Sequence, residues 1–228
     1  MRRLGALAIF VVVAACFGAS GPASGQLRSC ASKQYSYAGF AAARRSFGVS
    51  AQITPLSAPD VVDGHVAAWV GVGGPGEGPG GANEWLQVGL SGFPNTGTSS
   101  VYYEVALPNR PPQYSEVRTG IAVGQAHRLT VLEMLHRPSW WRVWVDKHAV
   151  TPPIYLPGSD ERWSPIATAE SWNAGAAVCN AYAYRFGHVV TAEAAGGSWR
   201  TFTRGYRFQD PGYRVIADSR NTFRAFGK

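Results

Sequence analysis

The stretch NEWLQVGL, residues 83–90, alternates along its length: Leu86, Val88 and Leu90 fall on one side of a period-2 chain, and Trp85, Gln87 and Gly89 on the other. That pattern predicts a strand with one apolar face. Gln87 is the residue that needs an explanation. A primary amide carries two donor hydrogens and an acceptor oxygen, and it is costly to bury without partners.

The same pattern recurs along the chain in FGVSAQITPL, HVAAWVGVG, SVYYEVAL, RLTVLEML, WWRVWVD, IATAESW, AYAYRFGHVV and GYRVIAD. Between these runs lie joints rich in Gly and Pro, among them GGPGEGPGG, GFPNTGTSS, PNRPPQY, LPGSD and AAGGS. Short strands with turns at fairly regular spacing imply an all-β sandwich or barrel. No helix-period segment, internal repeat or second composition regime interrupts the pattern, so residues 26–228 read as one domain.

Period 2 also assigns faces. Thr168, Glu170 and Trp172 share one face of IATAESW, opposite Ala167, Ala169 and Ser171. Tyr102 and Glu104 share a face of the SVYYEVAL run, opposite Val101, Tyr103, Val105 and Leu107. In WWRVWVD, Trp141, Val143 and Val145 read as core, with Arg142, Trp144 and Asp146 turned away. Three strands thus pair an apolar face with one that sets a polar residue beside an aromatic. Such a second face is the composition of a binding groove.

The N-terminal residues 1–25 read differently. Arg2 and Arg3, an uncharged apolar run from Leu4 to Ala15 and then small residues make a secretory leader. The run is short of the ~20 residues a membrane-spanning helix needs, and nothing later approaches one. The chain is therefore expected to act as a secreted or extracytoplasmic monomer. Val13-Ala14-Ala15-Cys16 also resembles a lipoprotein cleavage box, so anchoring through Cys16 stays open beside plain removal of the leader. Cys30 and Cys179 remain, and an even pair in an exported chain reads as a disulfide, worth ~4 kcal/mol across so long a loop.

Of 228 residues, 46% are hydrophobic and 15% charged, which is ample for a core and excludes disorder. Without the leader, 19 basic residues face 14 acidic ones, a net charge of +5. The excess sits in residues 200–228 and reads as a solvated face suited to an anionic envelope, without nucleic acid as a partner. Other chemistries fail on context. GVGGPG, residues 71–76, has dinucleotide-loop spacing, but Pro75 and Pro79 forbid the helix that must follow. The five histidines show no metal-ligand spacing, and Glu133 and His136 would point to opposite faces of a strand. No G-x-S-x-G is present, and no metal or cofactor is implied.

Taken in order, the segments resemble the eqolisin family, the glutamic peptidases. YSYAGFAAARRSFGVSAQITPL is similar to the family's opening pair of strands, AAWVGVGG to its AWVGIDG strand and EWLQVGL to its ILQTGV strand. VYYEVALP resembles the WYEWYP strand, ATAESW the AEW strand, and Cys179 with FGHVV the family's cysteine and FG-x-V strand. The likeness runs from about residue 35 to residue 192. It implies a concanavalin A-like sandwich of two antiparallel sheets, as in legume lectins and glucanases. It also implies a catalytic pair, Gln87 and Glu170, on the concave sheet, with Trp69, Trp85, Tyr102, Glu104 and Trp172 lining a groove for an unfolded protein or peptide.

In that chemistry the glutamate takes a proton from the attacking water and returns one to the departing amine, while the amide helps hold the water and donates to the oxyanion. A free glutamate titrates near ~4.3, which suits acid conditions. Three departures stand out. Gly73 replaces the family's aspartate, Ser171 separates Glu170 from Trp172, and the chain is basic. The alternative on the same sandwich is a non-catalytic carbohydrate-binding or cell-envelope protein, with glycan in the groove.

Overall fold

Where β-branched and aromatic residues alternate with polar ones, the chain runs extended. The structure, a computed structural model, describes residues 35–159, 163–176 and 178–227. The expected leader, Cys16 and Cys30 lie outside the described residues, and with Cys30 the expected disulfide. The strands in the first half are β1 (Tyr35–Ala42), β2 (Gly48–Pro55), β3 (His65–Gly74), β4 (Glu84–Gly92), β5 (Ser99–Ala106), β6 (Gln113–Ile121), β7 (His127–Glu133) and β8 (Trp140–Val145). The second half adds β9 (His148–Ala149), β10 (Ile154–Tyr155), β11 (Ile166–Trp172), β12 (Tyr182–Ala192), β13 (Trp199–Thr201), β14 (Arg204–Gln209), β15 (Tyr213–Ser219) and β16 (Thr222–Gly227). Among the described residues no helix is long and apolar enough to cross a membrane.

The strands form two antiparallel sheets. One has seven strands in the order β14-β1-β11-β3-β4-β5-β6. The other runs β10-β8-β7-β2-β12-β16-β15, with β13 added beside β12 and β9 beside β8. A single apolar layer fills the space between them. From the first sheet come Val70, Leu86, Val88, Leu90, Ala167 and Ala169; from the second come Val49, Ile53, Leu129, Val131, Val143 and Phe186. Among them Leu86, Val88, Leu90, Ala167, Ala169 and Val143 are residues that alternation placed on the apolar faces. The fold is the two-sheet sandwich expected from the sequence.

Seven strands lie outside the alternating runs quoted above: β1, β6, β9, β10, β13, β14 and β16. β6 begins inside the expected joint PNRPPQY; β6 and β14 are the two edges of the seven-stranded sheet, and β1 and β16 each lie one strand in from an edge. β6 and β14 are mostly exposed, so no apolar alternation marks them. Glu133 closes β7 and is buried, whereas His136 sits in the following turn at φ 57°. The segment after β3 is a loop with one 3₁₀ turn, Pro79–Gly81.

The seven-stranded sheet is covered on its second face as well. Ala67, Trp69 and Tyr102 form a separate buried cluster there, with Tyr37 and Ile166 packed against it. Gly89 of β4 makes room for that layer. A Cβ at Gly89 would lie 2.5 Å from the Ala68 carbonyl oxygen, 2.7 Å from Trp69 Cβ and 2.9 Å from Tyr102 Cε1. Gly89→Ala is therefore expected to lower stability by about 1–3 kcal/mol through overpacking. Urea denaturation followed by tryptophan fluorescence measures this, and an unchanged midpoint would show that the ring layer yields freely.

Candidate active site

β11, β3, β4 and β5 lie side by side in the seven-stranded sheet, and polar residues project from its second face on these strands, Glu170, His65, Gln87 and Glu104 among them. In the ladder Glu170 pairs with Tyr37 on one side and Ala67 on the other. Gln87 pairs with Gly71 and with Glu104. Glu170, Gln87, Glu104, Trp69 and Trp85 line one cleft of about 510 Å³, together with Tyr35, Tyr37, His65, Thr168 and Phe208.

Glu170 is 6% exposed, and each of its oxygens faces a partner. The Trp69 indole N–H donates to Oε2 at 2.9 Å, and His65 Nε2 stands 3.4 Å from Oε1. His65 is itself enclosed by rings, with Trp172 at 5.5 Å, Phe93 at 5.9 Å and Tyr35 at 6.2 Å. Tyr37, opposite Glu170, keeps its hydroxyl proton, because burial and then the Glu170 charge push its pKa up.

Gln87 is buried too, although it faces away from the main core. Its Nε2 donates to the Tyr102 hydroxyl at 3.1 Å, and Tyr102 stacks on Tyr114 with centroids 5.0 Å apart. The amide is therefore anchored from below by one bond, and its remaining groups line the cleft. Glu104 accepts a hydrogen bond from the Trp85 indole at 2.9 Å.

The expected substrate-binding residues divide into two groups. Trp69, Trp85 and Glu104 line the cleft. Tyr102 lies beneath it, 2% exposed, as the support for Gln87. Trp172 shares the face of Glu170 but caps the end of the site, stacked on Tyr35 at 6.2 Å and packed against His65. His65 and Tyr37 were not singled out from the sequence, and Thr168 was placed on the face of Glu170 without a role in the site. His65 opens β3 opposite Trp172, and only the β3–β11 register reveals that it reaches Glu170.

At Gly73, where the resemblance expects aspartate, φ is +78° and a Cβ would lie 2.3 Å from the Glu84 carbonyl oxygen. This backbone accepts glycine alone, so the departure is built into the β3–β4 hairpin.

The register also sets how far apart the expected pair stands. Glu170 and Gln87 belong to strands separated by β3, on rungs marked by Ala67 and Gly71. That is two interstrand spacings, about 10 Å, across the sheet and four residues, about 13 Å, along it. That separation is one of backbones, and the two side chains meet in a single cleft.

No protein-family model matches the sequence, and neither does any curated protein. Among solved structures, the chain is similar to scytalidoglutamic peptidase bound to a peptide-based transition-state analogue, with a TM-score of 0.53 and 13% identity over 84% of this chain and 98% of that one. It is also similar to SCP-B, an eqolisin-family peptidase in complex with the tripeptide Ala-Ile-His, with a TM-score of 0.52 and 16% identity over the same shares. At these identities the likeness is one of fold.

Glu104 carries a measurable signature of the cleft. Burial raises its pKa above the usual carboxylate range; the Trp85 N–H opposes this, the Glu170 charge adds to it, and a protonated His65 opposes it. A carboxyl with a raised folded-state pKa stabilises the fold below the unfolded-state value, and loses that contribution as pH rises through the folded value. Glu104→Gln keeps an acceptor for Trp85 and removes the charge. Its thermal midpoint should exceed the parent's at pH 7–8, and the gap should close as pH falls towards about 4. A constant gap across that range would contradict this account of Glu104.

Proposed function

We propose that the protein is a hydrolase of the glutamic-peptidase type, exported by its leader and acting on unfolded protein, with Glu170 and Gln87 as the working pair. The observation that carries the reading is Glu170 itself: a nearly buried carboxylate held by the Trp69 N–H in a cleft that also presents the Gln87 amide. The fold shared with glutamic peptidases supports it.

The peptide lies across β11, β3 and β4, between Glu170 and Gln87. With Oε2 fixed by Trp69, Glu170 takes a proton from water as the water oxygen bonds to the scissile carbonyl carbon. The Gln87 amide donates to the oxyanion that forms, held in place by Tyr102. Glu170 then returns the proton to the nitrogen as the C–N bond breaks. Glu104, with its raised pKa, is suited to donate a hydrogen bond to the substrate from its protonated form. Trp69 and Trp85 supply apolar contact. Cys30 and Cys179 form the disulfide in this reading.

The aromatic walls Tyr35, Tyr37, Trp85 and Phe208 also suit a glycan bound without turnover, and one experiment separates the two readings. Residues 26–228 are assayed for cleavage of an unfolded protein from acid to neutral pH, beside Glu170→Gln and Gln87→Ala, each checked for folding. The expected result is cleavage by the parent, none by Glu170→Gln, and a loss of ~100–1000-fold in turnover for Gln87→Ala. No cleavage by the parent at any pH would overturn the peptidase reading and leave the cleft as a carbohydrate-binding groove.

A further inference from the structure

The outer face of the nine-stranded sheet holds a second concavity, remote in chemistry from the cleft. One rung of side chains crosses it: Trp144 of β8 pairs with Thr130 of β7, Thr130 with Ser50 of β2, and Ser50 with Val190 of β12. Their strand neighbours Val143, Val131, Val49 and Val189 all point into the core, so this rung points outward. It floors a trough of about 560 Å³ that Trp199, Arg128 and Lys147 also line.

We propose that this trough binds an acidic polysaccharide, a short segment of a uronic-acid chain. The floor is small and hydroxylated: Thr130 Oγ1 donates to Ser50 Oγ at 2.7 Å, and Arg128 Nη1 approaches the same oxygen at 3.4 Å. Indole rings stand at the two ends, Trp144 from β8 and Trp199, 41% exposed, from β13. Aromatic faces pack against the C–H faces of sugar rings, and hydroxyls exchange hydrogen bonds with sugar hydroxyls. From β8 to β13 the floor spans four interstrand spacings, roughly 19 Å, which is room for a short oligosaccharide.

Charge selects the acidic class. No carboxylate lines the trough, whereas Arg128 and Lys147 do. The acids nearest in the chain are already engaged. Asp146 accepts from the Arg128 backbone N–H at 2.9 Å, lies 2.7 Å from His127 Nδ1 and pairs with Arg118 at 3.6 Å; Glu193 pairs with Arg200 at 3.1 Å.

Lys147 sits in a strained place. It follows Asp146 in the two-residue β8–β9 turn, with φ 72° after φ 49°. That turn favours Asn-Gly or Asp-Gly, yet a lysine occupies the glycine position at the cationic end of the trough. A nucleic acid is the weaker match. Its phosphates call for cations spaced along a track, and here both cations stand at one end of a hydroxylated floor.

The proposal is independent of the chemistry in the cleft. It is tested by calorimetric titration of the protein with galacturonate and alginate tetramers at low salt, beside cellotetraose and a single-stranded oligonucleotide. One or both acidic tetramers should bind saturably. Trp144→Ala and Trp199→Ala should each weaken that binding at least tenfold, Trp199→Phe should retain most of it, and the Arg128→Gln/Lys147→Gln pair should remove its salt dependence. Thermal midpoints of all variants establish that they fold. Binding of neither acidic tetramer overturns the proposal, as does full binding by a Trp144→Ala/Trp199→Ala double variant or equal affinity for cellotetraose. A clear preference for the oligonucleotide would replace it with the nucleic-acid reading.

Discussion

The hydrogen bond from the Trp69 indole to Glu170, 2.9 Å long, is the contact on which the order of the cleft depends. A carboxylate this buried needs donors. Trp69 pairs with Thr168, so its indole reaches Glu170 along the diagonal of the β3–β11 ladder, within the range of a large ring. The ring can lie across the sheet because its neighbours are small. Ala67 and Gly71 flank it along β3, and Gly89 faces it from β4. The same gap at Gly89 admits the Tyr102 ring, whose hydroxyl holds Gln87. Small residues between large ones thus produce the ring layer, and the ring layer supplies the polar atoms that make two buried polar side chains tolerable.

This explains what could be read from the sequence and what could not. Strand faces follow from period 2 alone, so the core residues of β4, β8 and β11 and the side from which Gln87 and Glu170 project were legible. Burial of Gln87 was not. Facing away from the main core would leave an amide in water on a bare sheet, but rings from β3 and β5 cover this one. The partners of Glu170 depend on the β3–β11 register, which local sequence does not specify when 101 positions separate Trp69 from Glu170. His65 shows the same limit, since no spacing of histidines points to a contact made across two strands. The strands β6 and β14 escaped notice because edge strands need not alternate.

Trp172 shows a finer effect. It lies on the face of Glu170, as alternation requires, yet it belongs to the end of the cleft, where Tyr35 and His65 pack against it and Phe93 packs in turn on His65. With Ser171 inserted between the two, the tryptophan shares a face with the glutamate and closes that end with aromatic surface. Gly73 acts at the other end of β3. Its left-handed backbone lets the hairpin pass close to Glu84, whose Oε2 accepts the Gly158 N–H at 2.9 Å and ties the loop after β10 to the base of β4. The two departures from the family pattern both shape an end of the cleft, and neither touches the Glu170 carboxylate.

The two sheets differ in how their outer faces meet solvent, and the difference follows from which strands are central. In the seven-stranded sheet the adjacent strands β3 and β4 carry Ala67, Gly71 and Gly89 on the second face, so neighbouring rings fold over them and polar groups end up buried and fixed. In the nine-stranded sheet the central strands β7, β2 and β12 carry hydroxyl and β-branched residues at the matching positions, and the rings stand at the margins. One arrangement makes a deep cleft with few, anchored polar atoms, suited to discriminating a single orientation of a substrate. The other makes a broad trough whose charges remain solvated and whose selectivity rests on long-range attraction. A strong-field site and a weak-field site on opposite faces of one sandwich can be occupied together, since the packed core between them leaves each its own approach from solvent.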